Sequence, residues 1–83
     1  MNLRRLSNKL QLALCQKGRY IRINQYQSYS ERVERMVTKF VLTERRMTET
    51  GEMKNFTILE TYQMADVVKT LAEMYGEANE ADT

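Results

Sequence analysis

The sequence predicts an α+β fold in the order α-β-β-β-α, with a three-stranded antiparallel sheet and two helices packed on one of its faces. Three observations carry this expectation. Apolar residues recur with a helical period near both ends of the chain, the period drops to two from Tyr20 onward, and a second run of strand composition follows at Met36–Thr43. Each helix has a single apolar stripe to bury, so both belong on the same side of the sheet.

Asn2 is a suitable cap for the first helix, whose apolar positions Leu3, Leu6, Leu10, Ala13 and Leu14 share one face. Gly18 supplies its stop. Leu12 and Cys15 fall on the opposite side, among Arg4, Arg5, Asn8 and Gln11, either as scattered surface residues or as a contact for a second subunit. In the first strand Ile21 and Ile23 face one way, and Tyr20, Arg22, Asn24 and Tyr26 the other. A bulge near Gln27 would reverse that phase.

The segment Ser30–Arg35 has neither Gly nor Pro and reads as a wide connection or a helical turn. Met36–Thr43 is apolar on both faces, as a central strand is. Glu44–Lys54 reads as a polar connection with a hairpin turn at Thr50-Gly51-Glu52, Gly51 taking positive φ. The third strand is expected from Asn55 to about Glu60, Phe56 and Ile58 facing one side and Thr57 and Leu59 the other. A second helix begins near Thr61, with Met64, Val67, Val68, Leu71, Ala72 and Tyr75 as its stripe and Asp66 near its positive end. Gly76 is expected to end it, which makes residues 1–76 a single domain and 77–83 a flexible acidic tail.

Eighty-three residues fold as one domain with a thin core, burying only about 60–65% of the unfolded surface, so a partner or a second copy is expected. An apolar fraction of 42% beside 29% charge places the chain among folded proteins. No apolar run reaches the ~18 residues of a membrane span, and Leu12–Cys15 is too short for a signal-peptide core. A basic amphipathic start with no acid before Glu31 is also a feature of organellar transit peptides, but cleavage there would remove a core helix. A lone cysteine is most simply housed in a reducing cytoplasm.

The net charge of +2 hides an asymmetry: residues 1–48 carry eleven Lys/Arg against three acids, and residues 49–83 carry two against eight. Either the first half presents a basic surface, or the halves neutralise each other across the fold.

Catalysis is not expected. The chain has no histidine to serve as a general base, no partner is evident for a Cys15 nucleophile, and its three glycines stand too far apart for a phosphate loop. One thiol without histidine gives no zinc spacing, so neither metal nor cofactor is expected. Binding remains, and Tyr20, Arg22, Asn24, Tyr26, Tyr29, Arg32, Arg35 and Lys39 are its candidates, because tyrosine and arginine anchor protein interfaces and also stack on bases and pair with phosphates. Leu12 and Cys15 are the candidate dimer contact.

The element order is similar to that of the double-stranded-RNA-binding domain. That family opens its second helix with phosphate-gripping lysines, where this chain has Gln63-Met64-Ala65-Asp66, so the resemblance extends to topology alone. The pattern Ile21-Arg-Ile-Asn-Gln-Tyr-Gln-Ser-Tyr-Ser-Glu31, Arg35-Met-Val-Thr-Lys39, Glu60-Thr-Tyr and Val67-Val-Lys-Thr-Leu71 resembles small accessory proteins of phages and prophages of Gram-positive bacteria. That resemblance implies a cytoplasmic protein of the bacterial host cell that inhibits a defence protein or ribonucleoprotein by occlusion, in the manner of an anti-CRISPR. A nucleic-acid-binding accessory protein for RNA or DNA is the alternative, and a homodimeric scaffold the third.

Overall fold

Asn2 sets the first helix as its side chain suggests. In the computed structural model, which describes residues 2–81, its Oδ1 accepts hydrogen bonds from the Arg4 and Arg5 amides at 3.0 and 3.2 Å. The helix, α1, spans Leu3–Gln16. Gly18 at φ 84° then lets its own N–H donate to the Cys15 carbonyl and the Arg19 N–H to the Leu14 carbonyl, at 3.0 and 2.9 Å. These two bonds form a Schellman stop, which turns the chain into the sheet.

Strands β1 (Tyr20–Ser30), β2 (Arg35–Met47) and β3 (Met53–Thr61) form one antiparallel sheet in the order β1-β2-β3, followed by α2 (Met64–Ala81). The expected α+β architecture is therefore present, with β2 central. Pairing of β1 with β2 runs unbroken from Tyr20↔Arg45 to Ser30↔Arg35, so no bulge interrupts Gln27. Residues 31–34 make the connecting turn, with Glu34 at φ 53°.

Two sequence expectations about β2 and β3 are corrected. The polar stretch Glu44–Lys54 is mostly strand, because Thr48–Glu52 closes a tight turn: the Thr48 N–H donates to the Glu52 carbonyl at 2.7 Å, and Gly51 sits at φ 87°. In β3 the register shifts opposite Leu42/Thr43, leaving Ile58 as an extra residue. The shift puts Leu59 and Thr61 with Phe56 on the helix side, so the alternation expected for β3 fails at Ile58.

The core lies between the helices and one sheet face. Leu14 from α1, Ile21, Phe40 and Leu42 from the sheet, and Val67, Leu71 and Met74 from α2 are buried together. Met74 takes the place expected for Ala72, which is exposed. Helix α2 also does not stop at Gly76. It continues to Ala81, carrying Ala78 against the core, and its stripe then follows Met64, Val67, Leu71, Met74 and Ala78. The acidic segment 77–81 is thus helical; Asp82 and Thr83 of the expected tail lie outside the described residues.

One charged group is buried within this layer. Glu44, 3% exposed, receives Arg19 Nε at 2.9 Å, Arg19 Nη2 at 3.0 Å and Arg46 Nε at 2.7 Å. Arg19 also reaches the Met74 carbonyl at 3.4 Å and Glu77 at 3.9 Å, while Arg46 stacks over the Phe56 ring at 5.4 Å. Burial pushes the Glu44 carboxyl up, but the hydrogen bonds and charges of both arginines outweigh it and hold the group below the usual carboxylate range.

Two consequences can be measured. Gly76 lies inside a helix with open space where a Cβ would stand, so Gly76→Ala should raise stability by about 0.5–1 kcal/mol in urea unfolding. Glu44→Gln removes the ionic partner of two arginines that can partly rehydrate, and should cost about 2–3 kcal/mol. Because the folded carboxyl titrates below the unfolded one, its stabilisation is complete above the unfolded value of about 4.3 and lost as pH falls through the folded value. The Gln variant should flatten that acid-side slope.

Candidate functional site: the open sheet face

Both helices cover the side of the sheet that carries Ile21, Phe40 and Leu42, and the opposite side has no covering element among the described residues. Alternation decides what lies there. From β1 come Tyr20, Arg22, Asn24 and Tyr26; from β2, the residues paired with this set in register, Arg45, Thr43, Val41 and Lys39; from β3, Asn55, Thr57 and Glu60. The molecule is a slab, 48 × 35 × 14 Å between Cα extremes, so this face is broad for its mass.

Six of the eight binding candidates share it. Tyr20, Arg22, Asn24 and Tyr26 lie along β1, with Lys39 directly opposite Tyr26 and Arg35 opposite Ser30. Tyr20 and Tyr26 are each 56% exposed. Tyr29 alternates to the other side of β1, and Arg32 sits in the turn. The two meet Arg35 in a shallow cleft that Val33, Val37 and Tyr62 complete. Leu12 and Cys15 are exposed on the outer side of α1, as the helical spacing requires, in a groove they share with Tyr20 and Ile21.

Beyond Phe40, β2 has no partner in β3. The outer part of the β1–β2 hairpin, Tyr26–Ser30 with Arg35–Lys39, is therefore a two-stranded arm that extends past the third strand, and both of its faces are accessible. Tyr29, Val33 and Met36 are 60%, 47% and 59% exposed on it.

Charge on the open face is predominantly positive. Lys39 is paired with Glu60 at 3.6 Å, but Arg22, Arg35 and Arg45 have no carboxylate within ion-pair distance among the described residues. Both readings of the charge asymmetry therefore hold in part: Glu60 and Glu77 neutralise cations of the first half, and these three arginines are left over.

Arg45 and Asn55 were outside the sequence-based selection. They join Tyr20 and Arg22 in a concavity of the face, with Thr43 and Met53. The alternation Thr43-Glu44-Arg45-Arg46 held the signal, but it is strand-like only if Glu44 is buried. Among the described residues no group of three or more His, Cys, Asp or Glu side chains could hold a metal ion, and no helix is long and apolar enough to cross a membrane. Comparison with protein-family models, with curated proteins and with solved structures finds no match to this chain.

Proposed function

We propose that this chain is a non-enzymatic binding protein that lays its open sheet face and hairpin arm against a macromolecular partner and inhibits it by occlusion. One observation carries the reading: Tyr20, Arg22, Tyr26 and Arg45 share an exposed surface on which none of them serves the core. Aromatic and guanidinium side chains held on a rigid sheet lose little conformational freedom on docking and are the usual energetic anchors of interfaces. The resemblance to phage accessory proteins supplies the class of partner, a host defence protein or ribonucleoprotein in the bacterial cytoplasm. A ribonucleoprotein suits this face because it offers phosphates to the arginines and apolar surface to the tyrosines.

The double variant Arg22→Ala/Tyr26→Ala tests it. Both side chains are exposed and outside the core, so unfolding should shift by no more than about 0.5 kcal/mol, whereas inhibition of the partner should be lost. Full inhibition by the double variant would exclude this face.

A second reading, direct binding of single-stranded RNA or DNA, is favoured by the three unpaired arginines interleaved with tyrosines on a flat sheet. It requires affinity for a mixed-sequence oligonucleotide that falls steeply with salt, with a log–log slope near −0.7 per phosphate neutralised, or about −2 for three contacts. Absence of binding at about 50 mM salt removes it.

A further inference from the structure

We infer that β1 is a pairing edge for a second copy of this chain, joining two sheets antiparallel into one six-stranded sheet. The inference goes beyond the partner proposed above and does not depend on it. In the order β1-β2-β3, one side of β1 carries no strand among the described residues, and the edge is eleven residues long without a bulge. Proteins ordinarily block such an edge with charge, proline, a bulge or a covering helix, and here α1 engages it through the Gln11 side chain at Ile21. Strand β3 is blocked in this way by the bulge at Ile58 and the charges of Lys54 and Glu60. Strand β1 has no proline, no bulge and a single charge, Arg22.

The geometry specifies the register. Gln11 Nε2, on the helix flanking this edge, donates to the Ile21 carbonyl at 2.8 Å, which marks that carbonyl as turned away from β2. In an antiparallel ladder the N–H and C=O of a residue point the same way and alternate along the strand, so the odd positions of β1 are the outward ones. Two copies related by a twofold axis then pair odd with odd. Centring the axis on Gln25, the midpoint of Tyr20–Ser30, engages the whole strand. It places Ile23 opposite Gln27 of the second copy, Ile21 opposite Tyr29 and Arg22 opposite Ser28, with no like charges facing.

The same register accounts for two exposed groups. Tyr29 is 60% exposed on the helix side of the arm. Opposite Ile21 of the other copy it meets the groove lined by Leu12, Cys15 and Ile21, and the twofold repeats the contact. The Tyr29 amide takes over the Ile21 carbonyl from Gln11.

Sedimentation equilibrium of the wild-type chain, from about 5 to about 500 µM, should show the mass rising from 9.8 kDa toward twice that value. Gln25→Lys brings two ammonium groups together on the axis and should weaken association by roughly tenfold or more. Gln27→Pro deletes an N–H that β2 does not use and should act in the same direction; circular dichroism of the dilute variants should retain the wild-type spectrum. A wild-type chain that stays at 9.8 kDa throughout overturns the inference, as does a dimer whose dissociation constant is unmoved in both variants.

Discussion

Glu44 stands at 3% exposure on the central strand, and its two oxygens are the point at which three elements are joined. A carboxylate there is tolerable only with full ionic and hydrogen-bonded compensation. Arg19 supplies it because the Schellman turn at Gly18 ends α1 one residue earlier and sends the guanidinium under the sheet end. The same guanidinium reaches the Met74 carbonyl and Glu77, so the C-terminal half of α2 is held by the group that neutralises β2. That tether, with Ala78 on the core, offsets the helix-weakening Gly76 and explains why α2 runs past it. An apolar residue of the same size could fold as well, but it would not tie the two helices to one point.

The layering follows from this arrangement and from the single apolar stripe on each helix. Two helices with one stripe each cover one side of the three-stranded sheet, and no other element among the described residues covers the opposite side. The result is a slab whose inner side accounts for folding and whose outer side is free for contact. The hairpin arm carries the same logic further, since it extends beyond the residues that pair with the third strand.

Where one physical pattern dominated, the sequence was legible. The alternation Tyr20-Ile21-Arg22-Ile23 has opposite polarity on successive residues, so it located both the strand and its outward face. The cap at Asn2 and the turn at Gly51 were equally local. The bulge at Ile58 was not, because Phe56, Ile58 and Leu59 are all apolar and a one-residue shift leaves the pattern looking acceptable. Glu44, Arg45 and Arg46 read as loop, since a buried carboxylate announces itself only through arginines that meet it in space. Arg45 was lost from the candidate face for that reason. Gly76 misled by its local preference, which tertiary contacts from Arg19 and Ala78 override.

Alternation along β1 has a consequence for how such a chain can vary over generations. Ile21 and Ile23 are tied to the core, and the even positions carry surface chemistry, so substitutions at Tyr20, Arg22, Asn24 and Tyr26 are nearly invisible to folding. Those four positions can be rewritten while the scaffold stays put. The remaining constraint on those positions is that they keep favouring extended backbone, which most β-branched, aromatic and many polar residues do.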